Sequence, residues 1–139
     1  MKTISQQFSD IYEKTTILYQ NNSQRDQNFS ELSSNDEHYL DILYSLKKPT
    51  LTKFSEKAKI SKPAATRIIQ KFIEKKYLTK RPSKTDGRVQ YLTLSEELEE
   101  YFKNNYQLFD QLFLGCIAVL TGEEKKQLQE ILEKINRNL

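Results

Sequence analysis

The chain has 139 residues, 37% hydrophobic and 29% charged, with a mean hydropathy of −0.74, which suits one domain or a small domain with helical extensions. No apolar run approaches the length of a membrane span, the opening "MKTISQQFSDIYEK" lacks the apolar core of a secretory signal, and one cysteine with one histidine excludes a disulfide framework and a structural zinc site. The net charge of +3 hides an asymmetry: residues 46–93 hold 14 Lys/Arg against 3 Asp/Glu, a net +11, while the remainder carries −8, so the middle of the chain has the footprint of a polyanion-binding module, with a solvated lysine-rich surface as the alternative.

Ile4, Phe8, Ile11, Thr15 and Leu18 recur at helical spacing, which predicts an amphipathic helix over 3–21. "NNSQRDQN" (21–28) has no apolar residue and reads as a loop. Ser34 with Glu37 three residues on is a capping box for a second helix, whose inward positions are Tyr39, Ile42, Leu43 and Leu46. His38 reads as a surface or half-buried residue of that helix. Pro49 ends it, and Thr50 can cap a short third helix with Phe54 and Ala58 inward.

Ser61 caps a fourth helix, about residues 62–75, that tolerates Pro63 in its first turn. Ala65, Ile68, Ile69 and Phe72 form its apolar stripe; Pro63, Arg67, Gln70 and Glu74 lie opposite, with Thr66 on the flank. "YLTKR" (77–81) and "RVQYLTL" (88–94) are β-rich enough for two strands, and Asp86-Gly87 signals a turn in the loop joining them. From Ser95 the chain is helical again, with an acidic first turn suited to the helix dipole and an apolar series Leu98, Phe102, Tyr106, Phe109, Phe113, Cys116, Ile117 and Leu120. Cys116 reads as an apolar packing residue. Thr121 with Glu124 caps a last helix striped by Leu128, Ile131, Leu132, Ile135 and Leu139.

The expected fold is mainly α, in the order α–α–α–α–β–β–α–α: a winged helix-turn-helix over 32–96, preceded by an N-terminal dimerisation helix and loop over 1–31 and followed by C-terminal dimerisation helices over 97–139. The long arms are acidic outside and apolar on one face, a pattern that calls for helix packing between subunits.

The stretch "ISKPAATRIIQKFIEKKYLTKRPSKTDGRVQYLTLSEE" (60–96) resembles the recognition helix and wing of the MarR family of bacterial transcription regulators. Ile60-Ser61, Arg67, Ile68-Ile69, Phe72, Glu74, Arg81, Ser83, Asp86, Arg88 and Leu94-Ser95-Glu96 carry the likeness, which is clear over 50–96. Three positions depart from it: Lys76 and Leu98 stand where the family usually has glycine, and Gly87 replaces an arginine that often meets a phosphate.

The resemblance implies a homodimeric, cytoplasmic repressor on a palindromic operator in double-stranded DNA, with no cofactor and no membrane partner. Lys62, Pro63, Thr66, Arg67 and Gln70 would face the major groove, Arg67 towards guanine, Gln70 towards adenine or a phosphate, and Thr66 and Pro63 towards a thymine methyl. Thr50, Lys53, Ser61 and Lys62 would meet backbone oxygens. Arg81, Ser83, Lys84, Asp86 and Arg88 would form the wing, with Arg88 reaching the minor groove and Asp86 holding Arg81 or Arg88 by a charge-assisted bond. A small effector molecule would sit between dimer helices and winged domain, where Phe8, Tyr12, Tyr39 and Tyr106 are candidate lining residues and equally candidate core. A different class of function, a winged-helix module docking RNA or an acidic protein without operator specificity, uses the same basic face. An enzyme fits least, because the chain has no Gly-rich phosphate loop, metal cluster or Ser/His/Asp set.

Overall fold

A computed structural model describes residues 1–139 as six helices and one hairpin: α1 (Ile4–Gln20), α2 (Ser34–Ser45), α3 (Leu51–Ala58), α4 (Lys62–Glu74), β1 (Leu78–Pro82), β2 (Gln90–Leu94), α5 (Glu96–Cys116) and α6 (Gly122–Arg137). The chain forms two compact units, Asp26–Asn104 and Met1–Arg25 with Asn105–Leu139.

The first unit is the winged helix-turn-helix. Its core is built from Leu40, Ile42 and Leu43 of α2, Phe54 of α3, Ala65, Ile69 and Phe72 of α4, Leu78, Leu92 and Leu94 of the hairpin, and Leu98, Tyr101 and Phe102 of α5. Large-to-small changes at fully buried rings such as Phe54 or Phe72 cost about 3–5 kcal/mol in comparable cores, so these side chains fix how α3 and α4 sit. The strands pair antiparallel with Leu78 opposite Leu94 and Pro82 opposite Gln90. The hairpin is tied down at both ends: Leu92 N–H donates to Pro49 O at 2.8 Å and Ser95 N–H donates to Tyr77 O at 2.8 Å.

Helix boundaries follow their caps. Thr50 accepts from Lys53 N–H, Ser61 from Ala64 N–H, Ser95 from Leu98 N–H and Thr121 from Glu124 N–H. The Thr121/Glu124 pair forms the full capping box expected, and Thr3 with Gln6 forms one not anticipated. The cap of α2 is Ser33, not Ser34: its hydroxyl accepts from Asp36 N–H at 3.1 Å. Asp36, Leu40 and Leu43 lie on the buried side, and Leu40, absent from the expected stripe, is the most buried residue of α2.

Both helices of the helix-turn-helix end in a Schellman arrangement. After α3, Lys59 N–H donates to Glu56 O and Ile60 N–H to Ser55 O; after α4, Lys76 N–H donates to Ile73 O and Tyr77 N–H to Phe72 O. Lys59 and Lys76 take the left-handed backbone this requires, at φ 56° and 64°. The turn that usually uses glycine therefore keeps its geometry with lysine.

In the second unit, α1 packs on the later part of α5. Tyr19 meets Phe109 edge-on at 6.0 Å, and Thr15, almost fully buried, donates to Ile11 O and lies 3.6 Å from Cys116 Sγ. α5 ends at Cys116, and Ile117–Leu120, expected to continue it, form turns before α6. Tyr101, Asn105 and Leu108, rather than Tyr106, lie on its buried side.

Candidate nucleic-acid interface

α4 buries Ala65, Ile69 and Phe72 and turns Lys62, Pro63, Arg67, Gln70 and Glu74 to solvent. The stripe is short and entirely small-to-aliphatic up to Phe72, so it seats one face and leaves the other free along its whole length. Lys62, Arg67, Lys53 and Arg81 are exposed and make no ion pair. Thr66 commits its hydroxyl to Lys62 O at 2.9 Å, so what it can offer a base is its methyl group. Thr50 and Ser61 use their oxygens as acceptors in caps, and each hydroxyl keeps its proton to donate to a phosphate.

The wing loop is organised by its own short polar side chains. Ser83 Oγ accepts from Thr85 N–H and Asp86 N–H, and Ser83 N–H donates to Val89 O at 2.8 Å. Asp86 Oδ1 accepts from Arg88 N–H at 3.0 Å and lies 3.5 Å from Arg88 Nε. Of the two arginines considered for Asp86, Arg88 is the partner; Arg81 sits in β1 opposite Tyr91. Arg88 remains 94% exposed at the loop, held at its base and free at its tip. Lys84 is exposed beside it. Gly87 has no left-handed φ and open space where a Cβ would stand, so nothing in the loop requires glycine there.

Behind the wing a shallow cleft of about 360 Å³ opens within the same unit, with Leu43, Leu46, Pro49 and Leu92 as its apolar wall and Arg81 and Lys48 at its edge. Of the four aromatics weighed for an effector cleft, Tyr39 packs edge-on against Phe54 in the winged unit. Phe8 and Tyr12 stack on each other on the exposed side of α1, and Tyr106 is partly exposed on α5. His38 is exposed and lies beside Tyr39.

Two side chains of the recognition helix region escaped sequence reasoning. Lys71 Nζ donates to Asp36 Oδ1 at 2.6 Å, joining the end of α4 to the first turn of α2. Nearby, Tyr101 donates to Glu37 at 2.9 Å, and burial, with the carboxylates of Glu31 and Asp36, raises the Tyr77 phenol above its ordinary pKa. The spacing Asp36–Leu40–Leu43 was the available signal, since it places a carboxylate in line with an apolar stripe.

A helix-turn-helix whose second helix presents an unpaired basic face, followed by a two-stranded basic wing, defines the winged helix-turn-helix class. Within that class, residues 32–89 match the model of the MarR family. A curated relative, the HTH-type transcriptional regulator BilQ of Clostridium symbiosum, is 26% identical over 98 residues, 69% of this chain and 68% of that protein. Among solved structures, S. aureus MepR bound to ethidium bromide aligns with a TM-score of 0.69 at 18% identity, over 99% of this chain and 96% of that one. Streptococcus pneumoniae FabT in complex with DNA aligns with a TM-score of 0.69 at 16% identity, over 96% and 93%. These likenesses extend the shared fold beyond the winged segment to both arms. No helix of the chain is long and apolar enough to cross a membrane.

Proposed function

We propose that this chain is a non-catalytic, cytoplasmic transcriptional repressor that binds a palindromic operator in double-stranded DNA as a homodimer. The observation that carries the reading is the pairing of one unpaired basic helix face with one projecting arginine. Arg67, Gln70 and Lys62 on α4 suit the edges and rim of the major groove, and Arg88, anchored by Asp86, suits the adjacent minor groove. Thr50, Lys53 and Ser61 border the same face and would set the register on the phosphates. FabT, which shares the fold, was solved in complex with DNA.

Dimerisation is supported by the arms. Ile4, Phe8 and Tyr12 on α1 and Ile131 and Ile135 on α6 are large apolar side chains left exposed in the single chain. An effector is part of the same proposal, by likeness to MepR, whose solved structure is of an ethidium complex; a thermal-shift screen of small molecules against the DNA-free protein checks it.

The test is binding to duplexes from the gene's own upstream region, measured by fluorescence anisotropy at fixed salt. Arg67→Ala is expected to lose about 1–3 kcal/mol on the operator and to relax preference at one base pair. Arg88→Ala is expected to weaken binding on operators with a narrow minor groove beside the half-site. Both variants binding as tightly as the wild type would sink the assignment. Equal affinity for operator and random duplex would instead favour docking of RNA or an acidic protein.

A further inference from the structure

Lys71 follows Arg67 by four residues, about 40° round the helix, on the flank of the face assigned to DNA. By position it is one more phosphate contact. The structure turns its ammonium away: it donates to Asp36 Oδ1 at 2.6 Å and lies 5.5 Å from the centroid of the Phe72 ring. Asp36 is 8% exposed, on the buried side of α2, within the first turn where the helix dipole favours a carboxylate. Asp36 is the buried member of the pair and Lys71 the half-exposed one, so the cation comes to the carboxylate rather than the reverse. The neighbouring cations of the same helix region, Lys62, Arg67 and Lys75, have no such partner. Yet the Lys71 side chain is still 44% exposed, so its stem lies at the surface and only the charge is held back.

Resting on the DNA-binding reading above, we propose that Asp36 is a specificity-determining residue that never touches DNA: it withholds Lys71 from the phosphate backbone. Phosphate contacts raise affinity for every sequence alike, whereas base contacts discriminate. A recognition helix in a segment of net +11 has sequence-independent attraction in excess. Neutralising the one lysine beside Arg67 and Gln70 lowers the affinity for random DNA and leaves the base-reading side chains alone. The pair also fastens the last turn of α4 to α2, which keeps the flank of the helix in one position while the groove is read.

The experiment compares operator and random duplexes over a salt series, for the wild type and for Asp36→Asn, Lys71→Gln, the double variant, and Glu31→Gln. Glu31→Gln raises the net charge by one without releasing a lysine, and circular dichroism melting monitors the fold of each. Asp36→Asn should bind random duplex roughly three- to tenfold more tightly near 0.1 M salt, with a salt slope steeper by about 0.9 per protomer bound, and its operator-to-random ratio should fall. In the double variant the slope should return to the wild-type value, and Glu31→Gln should never leave it. Lys71→Gln alone should keep the wild-type slope, because a lysine already withheld contributes no phosphate contact. The proposal is overturned if Lys71→Gln flattens the slope by about one contact, if Asp36→Asn leaves the slope unchanged, or if the steepening survives in the double variant. A wild-type protein that bound no duplex at all would instead refute the DNA-binding reading itself.

Discussion

At the scale of single residues, three lysines carry an unusual backbone. Lys48, Lys59 and Lys76 all take positive φ, and all lie in the basic segment. A left-handed L-residue costs about 1–2 kcal/mol, and glycine would avoid the strain while losing part of the gain to its freer unfolded chain. The chain thus carries charge at positions where backbone geometry favours glycine. Lys76→Gly should raise stability by about 0.5–1 kcal/mol, read as a shift in the urea midpoint at constant slope. Gly87 is the converse case, a glycine whose conformation any residue could adopt and whose surroundings are open. Gly87→Arg should leave stability within about 0.5 kcal/mol of the wild type. It should also add one phosphate contact per protomer, steepening the salt dependence of DNA binding by about 0.9. An unchanged slope would mean that the wing tip does not approach the backbone.

At the scale of elements, the wing loop depends on two side chains. Ser83 collects two backbone N–H groups and Asp86 a third, so the seven-residue loop between β1 and β2 is held by its own side chains and presents Arg88 from that base. The loop touches little of the core, so loosening it should affect binding more than folding. Asp86→Ala and Ser83→Ala are expected to weaken operator binding by up to about tenfold, while the thermal midpoint moves by only a few degrees, as for the loss of one or two exposed hydrogen bonds. A large fall in midpoint would show that the loop is part of the folded core instead.

The elements also show where local sequence signals suffice. Pro49, Thr50, Ser61, Thr121 and the two β-rich runs each declare a boundary through their own chemistry, and the winged order was legible from them. The start of α2 was not. Ser33 and Ser34 are adjacent, and each has an acid three residues on, so the capping rule fits both equally. The hydroxyl that accepts the Asp36 N–H is Ser33's, and α2 seats Leu40 against the core formed with Phe54 and Phe72, a contact between segments far apart in sequence. In α5 the expected series places Tyr106 inward, whereas Asn105 takes the buried position at regular helical spacing from Leu98, Tyr101 and Leu108; a polar residue on the buried stripe is what an apolar pattern passes over. The solvent-facing residues of α4 are legible for the opposite reason: they are what remains after a short and unambiguous apolar stripe has been assigned.

For the whole molecule, the arms pose the largest physical problem. α6 buries none of its residues in the single chain, and Ile131 and Ile135 are 56% and 51% exposed along one face of it. α1 exposes Ile4, Phe8, Ile11 and Tyr12 in the same way. A helix with one continuous apolar face and no partner is marginal in water, since helical stability comes mostly from packing that face. Burying such side chains is worth roughly 1.5–3 kcal/mol each, so a partner that covers α6 and the outer face of α1 adds most of the stability of α6 and part of that of α1, which already packs on α5 through Thr15 and Tyr19. In the proposed homodimer a second copy of the chain would supply matching faces by two-fold symmetry, and it would also bring two recognition helices to a duplex at a spacing of about one helical turn. Introducing a charge into the middle of this face tests both consequences together. Ile131→Glu combined with Ile135→Glu should convert a particle of twice the 16.5 kDa chain mass into one of chain mass, measured by light scattering on a sizing column. The far-ultraviolet helical signal should fall, because α1 and α6 lose their cover, while the core built on Phe54, Phe72 and Leu98 stays intact. Operator binding should then drop towards the affinity of a single half-site, and the preference for a palindrome over an isolated half-site should disappear. If the double variant keeps both its mass and its preference for the palindrome, the apolar faces of α6 are not what joins the subunits.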